Sequence, residues 1–357
     1  MKKIISLAAL FAVLSYASPA SAELKLGGEA GVRLRGDFGT AKPSNDKEDL
    51  SWQYRIALKP SADLGDGYFA KALIQSEDAP GGWLKTGAYN TEKYNLNVSQ
   101  FYFGHNDTNS HWVLGRIPLG TFDNPILDLT LYAIPAAFGT ANAVYAVDIP
   151  IFLNHFDRLL GFNYGTKIGG GELNAVIVNF DNLSNSFSTS TTDRGAVNDG
   201  YGFTANYKTT IGDLTIVPQA YVTLTHTSDG RQPYTLGAQA FIPAGKSKVA
   251  LSGFYTADKN TYEGASFDYS GYIFRVKGES GPVTAWVDYN QSKDKLASTD
   301  YDNLFVWASY NLKVHQAATG TFSLTPTVRY RASGKDTGTI TENNNLLRAE
   351  LYATVTF

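Results

Sequence analysis

Along most of this chain, apolar and polar residues take turns. In "LRAELYATVTF", Leu347, Ala349, Leu351, Ala353, Val355 and Phe357 alternate with Arg348, Glu350, Tyr352, Thr354 and Thr356. The same period of two runs through "ELKLGGEAGVRLRGD", where Leu24, Leu26, Ala30, Val32 and Leu34 alternate with Lys25, Glu29, Arg33 and Arg35. It recurs in "DLSWQYRIALKP", "GYGFTANYK" and "TFSLTPTVRYR". Strict alternation predicts β-strands whose two faces meet unlike surroundings. Two segments, 68–75 and 95–104, break phase, which leaves their facing open.

A soluble sandwich also alternates, so the content of the polar face decides between architectures. Here it carries arginines in mid-strand, which suits a wet interior and an apolar exterior. Short turns ("DLGDG", "TKIGGGE", "TTIGD", "PAGKSK", "GESGP") alternate with longer polar connections at 37–48, 77–92, 182–198, 259–267, 291–300 and 332–344. Short connections at one end and long ones at the other predict an all-β, antiparallel up-and-down transmembrane barrel of about sixteen strands. Hydrocarbon offers no partner to a backbone N–H or C=O, so such a sheet must close on itself. The terminal strand then pairs with the first, and Phe357 falls at an interfacial aromatic girdle with Tyr207 and Tyr310, opposite one formed by Tyr255 and Tyr289.

Composition adds the compartment. Residues 1–22 carry Lys2 and Lys3, an apolar run from Ile4 to Val13 and a small-residue site Ala20-Ser21-Ala22, the three parts of a cleaved secretory signal peptide. The run is too short to cross a bilayer as a helix. The expected mature domain, 23–357, holds 28 basic and 33 acidic residues, a balance that argues against a nucleic-acid partner. With no cysteine, disulfides and thiolate chemistry are excluded. Abundant Tyr, Phe and Gly with a single Met favour strands and turns over helices.

Two stretches carry a family resemblance. "WVLGRIPLGTFDN" is similar to the Gly-Arg strand that precedes the long third loop of Gram-negative general porins, and "DRLLGFNYGTKIGGGELNAVIV" is similar to the hairpin that follows it. The resemblance implies a sixteen-stranded homotrimeric channel of the bacterial outer membrane that passes small polar solutes and ions by diffusion. It implies contacts with outer-membrane lipid, lipopolysaccharide and the barrel assembly machinery, to which a terminal Phe357 would be the signal. It calls for no cofactor, metal or catalytic residue. The third loop, 119–155, would fold into the lumen and narrow it; it is long enough to expect function and more apolar than a free external loop. "PAAFG" resembles the loop's Pro-Glu-Phe-Gly-Gly stretch with alanine in place of the acid, so the negative side would come from Asp123, Asp128 or Asp148.

Facing those acids, a basic wall is expected from Arg33, Arg35, Arg55, Lys71, Arg116 and Arg158. An arginine pointed at lipid near the midplane would cost about 2–4 kcal/mol, so these must meet water or a carboxylate. Cations opposite anions set up a transverse field that favours small polar solutes. Two alternatives stay open. Aromatic residues on inward faces (Tyr221, Trp286 and Trp307, with Phe241, Phe254 and Phe305) would suit a solute-selective channel; a plugged barrel with enzymatic or adhesive work is the third reading. The five histidines are scattered, and "AGKSK" lacks the first glycine and the helix of a phosphate loop. "SNDKEDL" is either a solvated loop tip or a site for divalent cations that bridge lipopolysaccharide. The "APGGWL" loop at 77–92 is a candidate latch over a neighbouring subunit.

Overall fold

A computed structural model describes residues 23–39, 50–76, 83–86, 95–118, 159–181, 200–226, 231–262 and 264–357. The expected leader, the 119–155 connection and Arg158 lie outside these residues. The described residues form strands and turns: β1 (Glu23–Gly39), β2 (Leu50–Gly65), β3 (Tyr68–Ser76), β4 (Leu84–Lys85), β5 (Leu96–Asn106), β6 (Ser110–Ile117), β7 (Leu159–Ile168), β8 (Gly171–Asp181), β9 (Gly200–Ile211), β10 (Leu214–Thr223), β11 (Tyr234–Ala244), β12 (Ser247–Tyr262), β13 (Ala265–Ser280), β14 (Val283–Asp294), β15 (Thr299–Tyr310), β16 (Leu312–Ala317), β17 (Gly320–Asp336) and β18 (Thr341–Thr356).

These elements make a closed antiparallel barrel of sixteen wall positions. β4 continues the line of β3 along β2, and β15 and β16 are one strand interrupted at Asn311, since both pair with β17. Closure comes from β1 pairing with β18 from Glu29↔Thr356 to Gly39↔Leu346. The last residue takes part: Gly28 N donates to Phe357 O at 2.8 Å and Phe357 N donates to Gly28 O at 3.1 Å. The edge of the Phe357 ring lies over Gly28, so a side chain at position 28 would force the ring to move. The first and last strands thereby leave no open edge along their paired residues, as the bilayer requires.

Side chains sort by face. The outer rows expose Leu26, Trp52, Ile56, Phe101, Leu160, Phe274 and Val276 among many large apolar residues, while the inner rows bury Arg33, Gln53, Asp288, Arg329 and Glu350. This inverts a soluble protein and fits lipid outside, where fully burying a Leu or Phe is worth about 1.5–3 kcal/mol. The phase break foreseen near 95–104 is a bulge: the register on β3 steps from Leu73↔Gln100 to Ile74↔Val98, leaving Ser99 as the extra residue.

Three connections expected to be long loops are mostly strand instead. β12 and β13 pair up to Tyr262↔Ala265, β14 and β15 up to Asp294↔Thr299, and β17 and β18 up to Asp336↔Thr341. A tilted strand crosses hydrocarbon in about 9–11 residues, so strands such as β17, with 17 residues, outreach the bilayer. Beyond it both faces meet water, alternation fades, and an extended strand reads from sequence as a polar loop.

Candidate functional site

The inner wall divides into two unlike parts. From β13 through β18 and on to β3 it is charged. Arg275, Arg329, Arg331, Arg348, Arg33, Arg35, Arg55 and Lys71 all occupy inner rows, as do Asp288, Glu350, Asp37 and Glu29.

At the closing seam, one buried carboxylate gathers three guanidinium groups. Glu350, with a side chain 0% exposed, has Oε1 at 3.1 Å from both Arg33 Nη1 and Arg35 Nε, and Oε2 at 2.8 Å from Arg329 Nε. Tyr352 donates to Glu350 Oε2 at 2.8 Å while accepting from Arg329 Nη2 at 2.7 Å and Arg33 Nη1 at 3.1 Å. Arg33 also donates through Nε to Gln53 Oε1. The cluster exists because polar positions on β17, β18, β1 and β2 fall into facing rows, Arg33 lying opposite Tyr352 and Gln53.

Across the seam, and again between β13 and β14, charges pair with fork geometry. Arg348 meets Asp37 at 2.6 and 3.0 Å, and Arg275 meets Asp288 at 2.6 and 2.7 Å. Such bidentate pairs hold a guanidinium in one orientation. Arg331 leans on an amide network: it donates to Asn303 Oδ1 at 3.1 Å, Ser333 donates to the same oxygen at 2.6 Å, and Asn303 donates to Asn290 at 2.9 Å. Arg55 reaches Glu29 at 3.8 Å, and Lys71 lies 5.1 Å from the Phe69 ring.

Aromatic rings are interleaved with these cations. Trp286 and Trp307 are Cα partners on β14 and β15, stacked at 4.1 Å and 18°. Beneath them Phe305, at 0% exposure, packs with Leu346. Arg275 lies 5.5 Å from the Trp286 ring. Trp83, just before β4, lies 4.7 Å from the Arg33 guanidinium and 5.2 Å from the Tyr352 ring. The inner face of β1 admits it because residue 31 is glycine; a Cβ there would stand 3.0 Å from Trp83 Cη2. Most of the loop expected to latch onto a neighbour, 77–82 and 87–92, lies outside the described residues; its Trp83 faces the inner side of its own barrel.

The other part of the wall, β6 to β11, is uncharged away from the turns. Its inner rows carry Val113, Ile117, Asn163, Val176, Thr204, Asn206, Val217, Gln219, Tyr221 and Thr235, all buried. Tyr221 bonds to Thr223 at 3.0 Å, and Thr235 bonds across the strands to Thr256 at 2.7 Å.

Of the cations expected in one wall, Arg33, Arg35, Arg55 and Lys71 share the inner face. Arg116 departs from that expectation. It is the Cα partner of Phe101 and Leu160 on the outer rows, both more than half exposed, and donates to Val98 O at 3.2 Å. Around it Trp112 and Leu114 on one face and Val113 and Ile117 on the other are all apolar, so alternation could not assign the strand. Asp123, Asp128 and Asp148 lie outside the described residues. Arg275, Arg329, Arg331, Arg348 and Glu350 were not anticipated as wall residues, although the alternation read along "TFSLTPTVRYR" and "LRAELYATVTF" already put all but Arg275 on polar faces. Among the described residues no three His, Asp or Glu side chains converge as a metal site.

Comparison with known proteins follows the same direction. A family model for Gram-negative porins matches residues 6–340. Among solved structures, the chain is similar to an anion-selective porin from Comamonas acidovorans (14% identity, 94% of this chain and 100% of that one, TM-score 0.56). It is also similar to the trimer form of the outer-membrane protein OmpT of Vibrio cholerae (10% identity, 94% and 99%, TM-score 0.56) and to the outer-membrane channel DcaP of Acinetobacter baumannii (13% identity, 96% and 99%, TM-score 0.56). No curated protein matches the sequence.

Proposed function

This chain belongs to the Gram-negative porin family and is a passive diffusion channel of the outer membrane, and we propose that its lumen prefers anions among the small hydrophilic solutes it passes. One observation carries this reading: on the described inner rows of the charged arc from β13 to β3, cations outnumber carboxylates. In a narrow lumen with low-dielectric walls an uncompensated positive arc raises the local concentration of anions. The anion selectivity of the Comamonas acidovorans porin is in keeping with it. Asp123, Asp128 or Asp148 would supply the negative side of the pore from the 119–155 loop, folded inward as a constriction. The chain works as a homotrimer after loss of residues 1–22, and it transports without catalysis.

The test is single-channel recording of the refolded mature protein in a planar bilayer under a KCl gradient. Steps in groups of three with an anion-selective reversal potential are expected. A cation-selective reversal would overturn the preference, and absence of steps from folded protein would overturn conduction itself.

A further inference from the structure

The charged arc and the interleaved rings form one continuous strip. It runs from the Arg275 guanidinium to the Trp286 ring at 5.5 Å, to Trp307 at 4.1 Å, and to Arg329, the Cα partner of Trp307. Arg329 donates to the Tyr352 hydroxyl at 2.7 Å, and the Tyr352 ring meets Trp83 at 5.2 Å. Cations and paired rings adjoin along the wall over several strands and one inserted loop residue. Phe305 and Leu346 pack beside it on the same inner rows, while Trp286 and Trp307 stay partly exposed.

We propose that this strip is an affinity track for planar aromatic carboxylates, which makes the channel selective within the diffusion reading on which the proposal rests. Three features select that chemistry. An excess of fixed positive charge attracts an anion of any shape. Flat indole faces add a term that only a planar π-system collects in full, because offset stacking depends on the quadrupoles of both rings. A neutral sugar would gain the apolar face and forgo the field; an aliphatic acid would gain the field and forgo the stacking. The tryptophans are also costly to keep for general filtration, since large rings narrow a lumen that threonine or serine would leave open.

The test compares benzoate with cyclohexanecarboxylate, which have one charge each and similar size but differ in the π-face. Isothermal titration of the full mature protein in detergent is expected to show benzoate binding roughly fivefold tighter. Replacing both Trp286→Ala and Trp307→Ala should remove that preference, and Trp286→Phe with Trp307→Phe should retain part of it. Trp83→Ala, outside the regular strands of the wall, gives a second variant whose folding does not depend on repacking β14 and β15; it should weaken benzoate alone. Equal binding of the two acids, or no benzoate binding by folded wild-type barrel, overturns the proposal. The outcome separates from conduction: a barrel that conducts KCl without discriminating the acids keeps the pore and loses the track. One that binds benzoate but carries no current keeps the track and loses the pore.

Discussion

The two parts of the inner wall are built from the same backbone and differ in what their inner rows must face. From β6 to β11 those rows hold valine, isoleucine, threonine and amides, buried and without a charge away from the turns. From β13 to β3 they hold arginines, each set against a carboxylate, an amide or a ring. Burying a charge is costly unless it is paired and hydrogen-bonded, so the dense pairing of the second part shows what a wall needs to carry many cations at low exposure. The first part needs no such devices.

The difference can be broken most severely at Glu350. Glu350→Ala strips three arginines of their shared anion; removing one partner of a buried ion pair costs about 3–5 kcal/mol. The loss should appear as a lower urea midpoint for the barrel in lipid vesicles, and an unchanged midpoint would mean that the lumen's water screens the arginines unaided. Next comes selectivity. The triple change Arg33→Gln, Arg35→Gln and Arg55→Gln should move the reversal potential under a KCl gradient toward zero, whereas Asn163→Ala with Asn206→Ala should leave it in place. If both sets shift it alike, charge is not what distinguishes the two parts. A smaller effect is expected within the uncharged part: Ile117→Val should cost about 1 kcal/mol in the same urea assay, as a methylene lost from a closely packed site.

The smallest effect lies outside both walls. His226, between β10 and β11, stacks on Tyr262 at 4.2 Å, and burial pushes its pKa below the usual imidazole range. A base whose folded pKa is depressed contributes stability above its unfolded value, near 6.5, and loses that contribution as pH falls toward the folded pKa. His226→Phe should therefore flatten a slight fall in stability below pH 6.5, read by thermal melts at several pH values. A slope identical to the wild type would remove His226 as its source.

Much of the barrel was legible because period-two alternation is a direct imprint of lipid on one side and water on the other. The terminal strand, the inner positions of Arg33, Arg35 and Arg55, and the even number of crossings all rest on that imprint. Where the imprint fails, the sequence is silent for physical reasons. Arg116 sits in a strand apolar on both faces, and the tops of β12, β14 and β17 pass into water on both sides. The arginines of β17 and β18 were visible as polar-face residues, but their convergence on Arg33 and Arg35 depends on closure, which joins opposite ends of the chain. Trp83 gave no local signal, since its inward partners, Arg33 and Tyr352, and the room left by Gly31 lie on other strands.

That closure also orders assembly. Arg33 and Tyr352 are 319 residues apart, so their contact is among the most non-local the chain can make, and contacts of high sequence separation form late and slowly. Glu350, Arg329 and Tyr352 lie on the single hairpin of β17 and β18, whereas Arg33 and Arg35 come from the first strand, at the other end of the chain. A slip of one residue at that seam would turn both guanidinium groups to lipid and leave Glu350 short of its partners. The charge cluster in the lumen is thus complete only in the one alignment in which the barrel is shut in register.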